Sequence, residues 1–232
     1  MDHPVFDHEG PWTEAAYLKL PRADRIEVVD GTLLIGPGTS AERAAAVGRV
    51  RDALEAALPE GLLVQAGVSV RLSEDCILVP DLIITAAPVP EEDASEDAAE
   101  TDDSEPDDEA EVDDEAEKGE DEDEDEDGPH AVLEASAALM VVEVVGREHG
   151  AVDRSFKPQL YAGCRIPYLL LVDYHGPFAV ADMIISGRYH EYARAGGTEL
   201  LRIEEPFPIE LDLQAVAGAA TDAAPAAERA VG

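Results

Sequence analysis

Two segments constrain this chain more than any others: Ile77–Thr85 (ILVPDLIIT) and Leu139–Val145 (LMVVEVV) are apolar nearly throughout. Strands without an alternating polar face are covered on both sides, as in the centre of a mixed α/β sheet flanked by helices. Each nevertheless contains one carboxylate, Asp81 and Glu143. An unpaired carboxylate in an apolar interior costs several kcal/mol, so it neutralises, finds a partner or holds a metal ion.

The charge is unevenly spread over the 232 residues, which suffice for one ordinary domain. The formal net charge is −37, from 53 acidic and 16 basic residues. Between Glu91 and Asp127 stand 25 acids and one lysine, a net of −24 in 37 positions. Self-repulsion, with almost nothing apolar to bury, predicts a disordered acidic insert over 91–127, inside a domain running 12–213. The Ala-rich stretch 214–232 reads as a flexible tail. No apolar run reaches about 18 residues, so no membrane-spanning helix is expected. The opening MDHPVFDHEG has neither the basic nor the apolar region of a secretory signal. Cys76 and Cys164 lack metal spacing and read as free thiols in a reducing cytoplasm. The acidic balance offers no broad basic surface for nucleic acid, so contact with phosphates must be local, metal-assisted or absent.

Along the chain, strands and helices alternate. Thr13 is a candidate N-cap for a short helix through Lys19, ended by Pro21. Asp30-Gly31 between two apolar runs predicts a hairpin. Ser40 starts a helix presenting Val47, Val50, Leu54 and Leu58 on one face, stopped by Pro59 and Gly61. Strands are expected at Val64–Leu72, Ile77–Thr85, Leu139–Val145 and Tyr168–Asp173, with weaker ones at Ala179–Ile185 and Arg188–Tyr192. Pro80, inside an otherwise central strand, predicts an edge position or a bulge that re-aims Asp81. Pro158 fits the first turn of a helix ending near Gly163, which puts Lys157 at the helix start.

Two carboxylates and a lysine suffice for phosphodiester hydrolysis with a hard divalent cation. The carboxylates hold Mg²⁺, which keeps several waters and meets the substrate phosphate. The ion lowers the pKa of a bound water, and the ammonium orients that water or offsets developing charge. Only three of the 16 basic residues are lysines, so Lys157 stands out as a compact point charge in an arginine-rich set.

The order IEVVDG, VPDLII, VVEVV, DRSFKPQLYAGCRIPYLLLVD and EPFPIELDL resembles the Uma-type restriction endonuclease family of the PD-(D/E)xK nuclease superfamily. The resemblance covers Trp12 to Leu213 outside the insert and implies a restriction-endonuclease-like mixed β-sheet flanked by helices. It also implies a Mg²⁺- or Mn²⁺-dependent endonuclease with DNA as substrate; many nucleases cut both strands as homodimers, but no segment of the sequence marks a two-fold interface. By that resemblance Asp81 and Glu143 are metal ligands and catalytic residues. Glu27 is a further acidic ligand or water orienter, and Lys157 supplies the catalytic ammonium from the following helix, since the classical lysine position is Val145 here. Tyr161 matches the family's helix tyrosine, near the site. The chain departs from the pattern where Gly146-Arg147-Glu148-His149 replaces a Ser-Pro-Ser-like stretch, and where Arg43 or its neighbours replace a common histidine.

Plainer readings stand beside these. Asp81 could cap turn amides, Glu143 could pair with an arginine, Lys157 with Asp153 one turn earlier, and Glu27 could be an exposed cross-strand partner. His149 reads as a loop residue, and His3, His8, His175 and His190 as surface residues. The insert is a solvated spacer, an internal polyanion competing with substrate, or a lure for Mg²⁺ or basic protein partners. The rival class is therefore a catalytically silent nuclease-fold interaction module whose acidic loop binds a basic partner.

Overall fold

The computed structural model describes residues 8–20, 25–36, 38–88, 132–147 and 151–218. The acidic insert 91–127, Pro21, His3, His149 and residues 219–232 lie outside them. In chain order the elements are α1 (Glu14–Tyr17), β1 (Ile26–Val29), β2 (Thr32–Ile35), α2 (Ala41–Ala57), β3 (Leu62–Ala66), β4 (Ser69–Ser73), β5 (Cys76–Leu78) and β6 (Leu82–Ala86). After the insert come β7 (Val132–Glu134), β8 (Ala138–Val145), α3 (Lys157–Gly163), β9 (Tyr168–Asp173), β10 (Phe178–Ile185) and β11 (Arg188–Gly196). A small ribbon of β12 (Leu200–Ile203) and β13 (Ile209–Asp212) leads into α4 (Leu213–Ala217).

Two mixed sheets carry the architecture. One runs β11-β10-β9-β8-β6-β3, with only β8 and β9 parallel, and the other runs β2-β1-β5-β4-β7, with only β4 and β7 parallel. The expected central strands are central: β6 and β8 are buried on both faces. On β8, Met140, Val142 and Val144 join one core with Val50 and Leu54 of α2, whereas Val141 joins a second core with Tyr161 of α3. Each fully buried aliphatic side chain of this kind contributes about 1.5–3 kcal/mol.

The strands expected at Val64–Leu72 and Ile77–Thr85 are each two strands. β3 and β6 lie in the six-stranded sheet, β4 and β5 in the five-stranded one. The chain changes sheets at Gly67, whose φ of +67° suits glycine, and again at Val79-Pro80-Asp81. Proline has no N–H for a ladder, so Pro80 marks a corner between sheets rather than an edge or bulge. Apolar periodicity is blind to the second corner because both of its halves, β5 and β6, are buried.

The Asp30-Gly31 hairpin forms as expected, with Val29 opposite Thr32 and both turn residues at positive φ (48° and 69°). Ser40 caps α2 by accepting from the Arg43 N–H, but the fully buried face runs through Arg43, Ala46, Val50 and Leu54, with Val47 and Leu58 only half-buried. The α1 helix is a single turn, shorter than the expected span to Lys19. Residues 214–217, read as the start of a flexible tail, form α4 instead. Asp212 caps it, and Leu213 and Val216 are buried against the core of α2. The sequence reading missed β7, β12 and β13 because each is short and lacks a long apolar run. Cys76 and Cys164 are free, Cys76 buried and Cys164 half-buried. No helix among the described residues is long and apolar enough to cross a membrane.

Candidate active site

Four separate elements deliver Glu27, Asp81, Glu143 and Lys157 to one buried cluster. Glu27 sits on β1, Asp81 follows the corner at Pro80, Glu143 is mid-β8, and Lys157 opens α3. The strand period of two turns Glu143 to the face of Val141, toward Tyr161, and away from Met140, Val142 and Val144. A π-helical turn over Val152–Phe156 precedes α3 and swings Lys157 inward, where it is 1% exposed.

Lys157 Nζ lies 2.7 Å from Glu27 Oε1, 3.0 Å from Asp153 Oδ1 and 3.3 Å from Glu143 Oε1. The pair with Asp153 is therefore present, but inside the protein and shared with two other carboxylates. Glu27 is buried rather than an exposed strand partner, and its Oε1 also accepts from the Val79 N–H at 2.8 Å. The Tyr161 hydroxyl, one turn beyond Lys157, donates to Glu143 Oε1 at 2.7 Å. Glu143 is 0% exposed, and its other oxygen, Oε2, accepts no hydrogen bond among the described residues.

Asp81 is held differently. Both of its oxygens accept from Arg43 Nη2, the Oδ2 contact at 2.6 Å, and Oδ2 also accepts from the Val144 N–H at 2.7 Å. Arg43 is itself 3% exposed and donates from Nε to the Val144 carbonyl at 3.1 Å, so it is locked to β8 as well as to Asp81. Arg25 spans the remaining gap: Nη1 is 3.5 Å from Asp81 Oδ1 and Nη2 is 3.8 Å from Glu143 Oε2. The four expected residues thus converge, but Asp81 joins the rest through guanidinium groups.

The sequence reading missed Arg25, gave Asp153 only as a one-turn partner of Lys157, and gave Arg43 only as a departure from the family pattern. Arg43 occupies the stretch where the family pattern commonly has histidine, which was the one available signal. Arg25 precedes β1 with no pattern to mark it.

The electrostatics follow from burial and neighbours. Burial, opposed by Lys157, pushes Glu143 up to about 7. Burial would lower Lys157, but Glu143, Glu27 and Asp153 outweigh it and hold the ammonium above its ordinary value. The ammonium faces three carboxylates and is over-compensated, whereas Glu143 also feels Asp81 and Glu27 and is under-compensated. Burial likewise drives Tyr161 well above its ordinary value, so its hydroxyl remains a donor.

A cleft of about 290 Å³ opens onto Arg25, Arg43 and Asp81, walled by Thr39, Gly67 and Pro80. A hard divalent cation fits this donor set in kind: carboxylate oxygens suit it, and Glu143 Oε2 is a buried oxygen with no hydrogen bond from the described residues to give up. Glu143 and Asp81 would hold such an ion, with Glu27 alongside. No group of three or more His, Cys, Asp or Glu side chains among the described residues is arranged to hold one unaided; Arg25 and Arg43 stand among the acids instead.

Comparison with known proteins bears on the family and the fold. The family profile described as "Uma2: Putative restriction endonuclease" matches residues 14–125, which include Glu27, Arg43 and Asp81. No curated protein matches. A solved structure described as a "putative nuclease belonging to DUF820", from Anabaena variabilis ATCC 29413, superposes with a TM-score of 0.59 at 12% identity, covering 90% of this chain and 98% of that one. At that identity the likeness establishes the shared fold, a mixed sheet flanked by helices, and it extends across β8 and α3, which the profile does not reach. In sequence over residues 14–125 this chain is similar to the Uma2 restriction endonuclease family, and in fold over nearly its whole length it is similar to that solved structure.

Proposed function

We propose that this chain is an endonuclease that hydrolyses DNA phosphodiester bonds with Mg²⁺ or Mn²⁺. The observation that carries the reading is the convergence of Glu27, Asp81, Glu143 and Lys157 in one buried cluster, with Glu143 Oε2 accepting no hydrogen bond from the described residues. A packing role alone gives no reason to bury so many charges, since removing each from water costs several kcal/mol. A divalent ion at Glu143 and Asp81 would supply an activated water and Lewis-acid stabilisation. The chain's own part is positional. Lys157, held protonated by three carboxylates, serves as a fixed positive charge beside the reacting phosphate rather than as a base. Tyr161 fixes the rotamer of Glu143, and Val144 and Arg43 fix that of Asp81. Residues 12–213 act as one catalytic domain interrupted by the insert, and two free thiols suit a cytoplasmic protein.

The test is plasmid nicking with Mg²⁺ or Mn²⁺ by wild type, Asp81→Ala and Lys157→Ala. Each variant is expected to lose at least about a hundredfold in rate, the scale of removing one preorganised charge stabiliser. Equal nicking by all three would mean that a contaminant does the cutting and would remove the proposal.

One observation favours a second reading. Arg43 already engages both oxygens of Asp81. A silent nuclease-fold module, binding basic protein partners through its acidic insert, would show no nicking with either ion. It would show salt-sensitive polycation binding that survives both substitutions.

A further inference from the structure

The two arginines beside Asp81 are not equivalent. Arg43 is buried, makes close contacts to both Asp81 oxygens and is tied to the Val144 carbonyl. It is part of the frame. Arg25 is looser: its side chain is 16% exposed at the cleft, and among the described residues its side chain hydrogen-bonds from Nη2 to the Val79 carbonyl at 3.1 Å. Its guanidinium reaches toward Asp81 Oδ1 with one nitrogen and toward Glu143 Oε2 with the other, at 3.5 and 3.8 Å, both beyond ordinary hydrogen-bond length. Those are the two carboxylates that would hold a cation, and Glu143 Oε2 accepts no hydrogen bond from the described residues. Arg25 therefore stands where positive charge is wanted, without making the bonds that would fill the place.

Resting on the endonuclease reading above, we propose that Arg25 is a displaceable internal counter-cation of the Asp81–Glu143 pair, which a divalent ion must push aside to bind. Three features support this. The guanidinium already supplies the charge compensation that would otherwise favour ion entry. It can leave, because the cleft opens on its side and its contacts to both carboxylates lie beyond hydrogen-bond length. Arg43 cannot substitute for it, being fixed to Asp81 and β8. Arg25 thus sets the affinity of the site: with Arg25 in place the ion competes against a unit positive charge a few ångströms away, and without it the pair keeps only Arg43 on Asp81 and Lys157 on Glu143.

Tb³⁺, a hard-oxygen ion, tests this by luminescence sensitised through nearby tyrosine. Tyr161 donates to Glu143 and reports an ion there, whereas residues 91–127 contain no Phe, Trp or Tyr and stay dark while drawing down free ion equally in every variant. The full-length wild type, Arg25→Gln, Arg25→Lys and Glu143→Gln would be titrated, each also in a Tyr161→Phe background to isolate the signal from that ring. Arg25→Gln is expected to lower the midpoint by about tenfold or more, the consequence of removing a nearby like charge. Arg25→Lys should remain within a few-fold of wild type, and Glu143→Gln should abolish the Tyr161-dependent signal. Equal midpoints in wild type and Arg25→Gln, with the signal still lost in Glu143→Gln, would overturn the role of Arg25 and leave the metal reading standing. No Glu143-dependent signal in any folded variant would sink the metal reading and this proposal with it. Thermal unfolding in chelator and in Mg²⁺ gives a second readout: Mg²⁺ should raise the Tm of Arg25→Gln more than that of wild type. Equal shifts would again count against displacement.

Discussion

Glu143 shows how one side chain is shaped by everything around it. It sits mid-strand among valines, yet it meets Lys157, Tyr161 and the long reach of Arg25. Its pKa rises from an ordinary 4.5 to about 7, so between those values the folded protein keeps a proton that the unfolded chain has released. Stability therefore falls as pH rises through that window, and what the protonated carboxyl contributed is gone above about 7. Glu143→Gln keeps the shape without the charge and does not follow the fall. Urea unfolding in chelator should find the variant and wild type close at pH 5. At pH 8 the variant should be more stable by on the order of 2 kcal/mol. A gap that closes with rising pH would show that Lys157 and Arg25 fully compensate the carboxylate.

At the scale of elements, the start of α2 places Arg43. The Ser40 hydroxyl accepts from the Arg43 N–H, and the first turn then lays the guanidinium against Asp81 and the Val144 carbonyl. Capping and site geometry share one residue. Ser40→Ala should cost about 1 kcal/mol in denaturant unfolding, the usual loss of an N-cap. Because Arg43 is also anchored to β8 and Asp81, the helix should shorten little by circular dichroism. A loss several times larger would mean that the cap, rather than the ion pair, holds the helix start. The corner at Val79-Pro80-Asp81 works at the same scale. Ending β5 in one sheet and starting β6 in the other, it brings the amide that binds Glu27 within two residues of Asp81.

For the whole molecule, charge is the dominant fact. A net of −37, of which −24 lies in 91–127, opposes approach of a polyanionic substrate at long range. Raising ionic strength from about 0.01 M to about 0.15 M shortens the screening length from about 30 Å to about 8 Å. DNA association by the full chain, followed by stopped-flow fluorescence, should therefore speed up with added NaCl, the reverse of ordinary DNA-binding proteins. Deleting 91–127 should flatten the dependence, and a rate that falls with salt in both forms would contradict this. The sequence by itself determined the hairpin at Asp30-Gly31, the N-cap at Ser40, the doubly covered β6 and β8, and the interior placement of Asp81 and Glu143. These are local or periodic properties, written in residues that are close neighbours in the chain. Only the tertiary structure decided that Glu27 is buried on Lys157 and that the apolar runs at 62–73 and 76–86 break to change sheets. It alone decided that Arg25 and Arg43, from outside the strands that carry Asp81 and Glu143, supply the cations beside them. Such pairings join residues tens of positions apart, and burial drives them without specifying which opposite charge arrives first.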